Sequence, residues 1–265
     1  MEGIIIGLVC FGIAVLLLYF RKKNQDKLLE IKFVKTSTAQ ELKEICKQVN
    51  DELSTTGAFR QQTEVKGVIQ CAHPITSELA KQPCVWYEMS VDERYEETYT
   101  ERDQNGREVR RTRTGTENVA SNSQRVHFEV EDATGRITIN PNDADIEGTQ
   151  VLNRYEQNFS GGRIQLGGFS MNINIGRSGR RILGYEFTES LIPLDRRVYV
   201  LGEASDASGE LMVQKPEDKE KPFIITLKSE EELTRGTEST IRNLMIGSIV
   251  LVVIGLVAIA YGIMK

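Results

Sequence analysis

Two uncharged apolar runs constrain this chain more than any other feature. Residues 3–20 and 244–264 contain no Asp, Glu, Lys or Arg. As helices they would span roughly 27 and 31 Å, close to the hydrocarbon thickness of a bilayer. In lipid such a backbone must satisfy its own N–H and C=O groups, so both runs predict transmembrane helices. A cleaved signal peptide is the competing reading of the first run. It fits poorly, because Glu2 alone precedes the run and Arg21, Lys22, Lys23 and Lys27 follow it. The predicted organisation is an anchor over residues 1–21, a domain over 22–235 and a second anchor over 236–265.

The flanking charges also predict a side. Basic residues beside a membrane helix favour the cytoplasm. Arg235 and Arg242 precede the second run and only Lys265 follows it, so both flanks place the domain on the cytoplasmic face. The chain has 33 Lys and Arg against 38 Asp and Glu, a net charge of −5. Nucleic-acid binding needs a basic footprint, so that partner class is excluded. Four cysteines, with Cys10 inside the first run, make no disulfide framework.

Between the runs the pattern is mostly β. Thr38 and Glu41 form a capping box, and Leu42, Ile45, Val49 and Leu53 recur at helical spacing. This predicts an amphipathic helix over about 38–54 that packs on a core. Val126, Phe128 and Val130, then Ile137 and Ile139, alternate around a turn at 132–135, as a hairpin requires. Asn105 and Gly106 mark a second hairpin turn. Its outgoing arm bears Glu96, Glu97 and Glu101, and its return bears Arg107, Arg110, Arg111 and Arg113. With so few apolar residues it should project as a ribbon held by cross-strand charge pairs. Further strands are expected at 64–72, 151–158, 181–189, 196–202, 210–213 and 223–227, and a loose hairpin or loop over 158–179. Only one helix interrupts this pattern, so the fold class is mainly β, an antiparallel barrel or sandwich. Ser229 and Glu232 form a second capping box, opening a helix that continues into the second run.

The stretch KQPCVWYEMS, residues 81–90, holds the only tryptophan. Alternation predicts a strand with Cys84 and Trp86 on one face, Cys84 acting as a small buried hydrophobe. A nucleophilic Cys84 would need a base and an orienting group. A zinc site could draw on Cys71, His73, Cys84 and His127, although their spacing matches no ribbon or knuckle. A Cys71–Cys84 disulfide would require a compartment other than the cytoplasm. The segment GRSGRR, with Arg177, Arg180 and Arg181, could offer guanidiniums to an anion or partner, but it lacks the lysine and hydroxyl ending of a phosphate loop. The arginines of the hairpin are candidate partner contacts as well. In the anchors, Gly3 with Gly7 and Ala258 with Gly262 are small residues four apart, which lets helix backbones approach closely. No cofactor motif is present.

Five segments in order resemble a known family: VKGVIQCAHPITSELAKQPCVWYEMSV, ERYEETYTERDQNGREVRRTR, FEVEDATGRITINPNDADI, IPLDRRVYVLGEAS and KPFIITLKSEEEL. Together with the flanking anchors they are similar to the GIDE-type, or beside-a-membrane, domain of mitochondrial membrane-anchored E3 ubiquitin ligases and their prokaryotic relatives. The resemblance spans about residues 31–235. In those ligases a RING with eight Cys and His zinc ligands carries the activity, whereas this sequence has four Cys and two His. None of its residues maps onto a RING. The resemblance also implies a domain facing the intermembrane space, against the charge reading. The expectation is a membrane-tethered, non-catalytic binding or scaffold module with a protein partner. The alternatives are a ubiquitin-transfer component served by a separate RING or conjugating protein, and an oligomerising envelope protein.

Overall fold

The computed structural model describes residues 2–102, 106–157, 163–172 and 180–264. Along the chain come α1 (Glu2–Phe33), α2 (Ala39–Leu53), β1 (Arg60–Gln70), β2 (Ile75–Thr76), β3 (Pro83–Arg102), β4 (Glu108–Arg125), β5 (Phe128–Asp132), β6 (Gly135–Ile139), β7 (Asp145–Glu147), β8 (Thr149–Glu156), β9 (Arg163–Leu166), β10 (Phe169–Asn172), β11 (Arg180–Pro193), β12 (Arg197–Ser205), β13 (Met212–Gln214), β14 (Ile224–Thr226) and α3 (Glu230–Met264).

The first sheet closes on itself. Its order runs β1-β5-β6-β13-β12, and β12 returns to pair with β1 from Arg60↔Ser205 to Val68↔Arg197. Closure removes the open edges that a flat sheet would expose. Strands β14 and β7 continue the sheet beyond β12, and the β13–β6 and β14–β7 pairings are parallel. The predicted hairpin forms as expected, with Phe128 opposite Ile139 and Val130 opposite Ile137. These four residues join Val65, Ile69, Val198, Val200 and Ile225 inside the barrel.

Helix α2 packs on that core through Ala39, Leu42 and Cys46. It starts where expected, because Thr38 Oγ1 accepts from Glu41 N at 3.2 Å, and it ends at Ser54 in the left-handed region. Two carboxylates pin its ends. Asp132 accepts from Ala39 N at 2.7 Å, while Asp206 accepts from Asn50 Nδ2 at 2.8 Å and from Gly57 N and Phe59 N. Burial opposes ionisation of both. The hydrogen bonds outweigh it and hold both pKa values below the usual carboxylate range.

Strand β12 is buried along almost its whole length, although an antiparallel strand ordinarily alternates. Val198, Val200 and Ala204 face the barrel interior. Tyr199 and Leu201 face outward, where Ile31 of α1 and Leu233 of α3 cover them together with Ile224. The membrane-candidate helices are thus seated on the barrel wall.

The second sheet runs β4-β3-β11-β8, with β2 beside the start of β3. It has its own core of Cys84, Tyr87, Met89, Val91, Tyr185, Phe187 and Leu191. The segment expected to be a loose hairpin or loop contains the β9–β10 hairpin; residues 158–162 and 173–179 lie outside the described ones.

Candidate functional site

The strand reading of KQPCVWYEMS holds, but its facing does not. Ile192 pairs with Trp86 and Pro193 pairs with Cys84, which leaves Val85 as an extra residue on β3. This bulge reverses the alternation. Trp86 and Val85 enter the barrel core, whereas Cys84 enters the core of the second sheet with Tyr87 and Met89. Burial, then the charge of Glu189, pushes the Cys84 thiol up to about 11. A thiol held protonated in this way is a poor nucleophile.

The four candidate zinc ligands do not gather. The Cys71 thiol lies 3.6 Å from the His127 carbonyl, His73 is exposed, and Cys84 is fully buried in the other core. Among the described residues no group of three His, Cys, Asp or Glu could hold a metal ion. All four cysteines are free.

The charged hairpin is a long ribbon, paired from Trp86↔Arg125 to Arg102↔Glu108. Asn105 lies outside the described residues, while Gly106 has a positive φ of 77°. Arg113 pairs with Glu97 at 2.7 Å and Arg111 with Glu101 at 2.9 Å, and Arg110 stands opposite Thr100. Arg107 follows Gly106 at the start of the return arm. Strand β11 pairs with the ribbon up to Glu97, opposite Arg180, where the described residues of that strand begin. Among the described residues, 98–102 and 108–112 pair with each other alone.

Arg180 and Arg181 open β11, and Arg177 lies outside the described residues. Arg180 is committed internally. It contacts Glu93 at 3.0 Å and Glu117 at 2.6 Å, and its guanidinium lies 3.4 Å from the Tyr95 ring centroid. Tyr95 in turn lies flat over Gly115, where a Cβ would fall 2.6 Å from the ring. An aromatic ring covering a cross-strand glycine restores the packing the glycine lacks. Tyr155 does the same over Gly184 and carries Arg94 at 5.2 Å. The base of the ribbon is therefore packed by two such glycine–aromatic–arginine stacks.

Helices α1 and α3 are long and apolar enough to cross a membrane, and they run antiparallel against each other. A Cβ on Gly3 would fall 2.5 Å from Ala258 O and 3.0 Å from the Gly262 Cα. One on Gly7 would fall 2.9 Å from Gly255 O. All four small residues singled out in the anchors therefore lie in this one contact, and the close backbone approach leaves no room for a side chain.

Two concave features lie near the helix ends. The first is a cleft of about 750 Å³ between β1, β12, the β5–β6 turn and the start of α3. Lys66, Arg197 and Lys228 line it opposite Glu131, Asp132, Glu230 and Glu231. Glu64, which is only 1% exposed, anchors one wall. It accepts from Thr36 Oγ1, pairs with Lys66 at 2.7 Å and lies against Tyr199. Lys66 also meets Glu230 at 2.6 Å. Burial opposes the lysine charge, but Glu230 and Glu64 outweigh it and raise the Lys66 pKa. For Tyr199, burial and then the Glu64 charge push the phenol well above its ordinary range. Sequence reasoning missed this cluster. Its one signal was a glutamate next to Val65 at the head of the predicted strand, which the structure extends back to Arg60. The second feature is a cleft of about 780 Å³ between α1 and α3, just above their apolar segments.

The profile of the GIDE family, described as E3 ubiquitin ligase, matches residues 96–260. No curated protein and no solved structure matches the chain. The match begins in the ribbon and takes in β11, four of the five barrel strands, all but β1, and most of α3. Covering more than half of the chain, it places this protein in the GIDE family.

Proposed function

We propose that this GIDE chain is a membrane-tethered recognition module, holding its β domain at the cytoplasmic face of a bilayer for a protein partner. One observation carries the tether. The apolar windows of α1 and α3 are only 17% and 11% buried, so their aliphatic side chains face outward along their length. The core helices of a water-soluble protein hide such surface. The basic turn at Arg21, Lys22 and Lys23 supports the cytoplasmic side. The far end of the ribbon and the mixed-charge cleft of the barrel are the partner surfaces. With both signs of charge in its lining, the cleft suits a polar peptide segment better than a polyanion.

Alkaline carbonate extraction tests the tether: the full chain stays with the membrane pellet, and its release refutes the reading. The partner surface is tested by mild-detergent purification of wild type beside a variant whose residues 99–111 are replaced by an Asn-Gly turn. Loss of co-purifying proteins, with the barrel still folded, supports the ribbon. Retention of every one removes its role. Crosslinks solely between copies of the chain would favour an assembling envelope protein instead.

The family description favours a second reading, in which the domain positions substrates for ubiquitin transfer and a separate RING or conjugating protein supplies the chemistry. Ubiquitin transfer that appears only when this chain joins purified conjugating components would favour that reading.

A further inference from the structure

We propose that the cleft between α1 and α3 is a binding site for the headgroup of an anionic phospholipid. This inference rests on the tethering reading above. The helices run antiparallel with Gly3 against Gly262, Gly7 against Ile259 and Leu17 against Gly247. Continued to the other end, that register sets Lys22 at the height of Arg242, and both line the cleft. Each cation stands two residues outside an apolar run, the last residue of the first run being Phe20 and the first of the second being Leu244. This is the level of lipid phosphates and glycerol esters.

The other walls fit such a ligand. Met245, 45% exposed, offers apolar contact on the membrane side, Ile241 adds apolar surface beside Arg242, and Gln25 adds a hydrogen-bonding amide. Two carboxylates also line the cleft. Glu238 is neutralised by Lys32 at 2.6 Å, and Asp26 sits one turn above Lys22, farther from the apolar segment. Lys and Arg together clamp a phosphate that carries net negative charge. A choline headgroup would bring its own cation against them.

The test uses the full chain in nanodiscs of equal parts phosphatidylcholine and phosphatidylglycerol, with retained lipids counted by native mass spectrometry. Wild type should retain phosphatidylglycerol above the bulk ratio, and Lys22→Gln and Arg242→Gln should each reduce the excess about fivefold. The control is Lys23→Gln, which removes a neighbouring exposed charge outside the cleft and should leave most of the excess. An equal loss with Lys23→Gln means general surface attraction and overturns the site. Retained lipid at the bulk ratio, or enriched in phosphatidylcholine, also overturns it and leaves the tether standing. Release of wild type by alkaline carbonate would overturn the tether, and this site with it.

Discussion

Glu189 carries the sharpest stability prediction. It lies in β11 opposite Met89 and is fully buried. One carboxylate oxygen accepts from Leu79 N and the other from Ala80 N, both at 2.7 Å, pinning the loop between β2 and β3 over Cys84 and Tyr87. Glu189→Ala removes both bonds and leaves two backbone donors without partners. Hydrogen bonds to a charged group contribute about 1.5–3 kcal/mol each, so the expected loss is about 3–5 kcal/mol. Glu189→Gln should cost about 2–3 kcal/mol, because the amide oxygen accepts one N–H while the amide N–H meets the other head-on. The assay is denaturant unfolding of the full chain in mild detergent, read by the fluorescence of Trp86, the only tryptophan. Trypsin sensitivity at exposed Lys81 gives a second readout, since the freed loop should be cut faster. If Glu189→Gln lies within about 0.5 kcal/mol of wild type and Lys81 is no more sensitive, the two-bond account is refuted.

Asp132 and Asp206, with folded pKa values below their unfolded ones, stabilise the docking of α2 fully above the unfolded value, about 3.9. That contribution is lost as pH falls through the folded values, so hydrogen exchange in α2 should accelerate below about pH 4 and not before. Asp132→Asn should flatten this limb and cost about 1–2 kcal/mol at neutral pH. In the helix pair, Gly255→Cys should form a disulfide with Cys10 under mild oxidation, because a Cβ at 255 lies 3.3 Å from the Cys10 Cβ. Absence of that crosslink on a non-reducing gel would break the antiparallel register. At neutral pH an alkylating reagent should label Cys71 well before Cys84, whose thiol is buried and raised to about 11, as peptide mass mapping would reveal. Gly115→Val should displace Tyr95 and loosen its stack with Arg180, costing about 1–2 kcal/mol in the same unfolding assay.

Local features were legible in the residue order. The capping boxes at Thr38 and Ser229 form as read, with Ser229 N donating to Glu232 at 2.9 Å. So do the hairpin at 128–139 and the ribbon with its Glu97–Arg113 and Glu101–Arg111 pairs. Each depends on neighbours in sequence, so periodicity and turn chemistry suffice. The two apolar helices depend on composition alone. Tertiary structure decided the rest. Alternation predicted a shared face for Cys84 and Trp86, and only the pairing with β11 reveals the bulge at Val85 that separates them. Barrel closure between β1 and β12 joins residues more than a hundred positions apart. Tyr199 reaches Glu64 from β12, the partners of Glu189 come from the loop between β2 and β3, and those of Arg180 from β3 and β4. A strand's pattern records which side chains are apolar, but what covers each face, and which carboxylate meets which donor, is settled by long-range packing that the order of residues does not display.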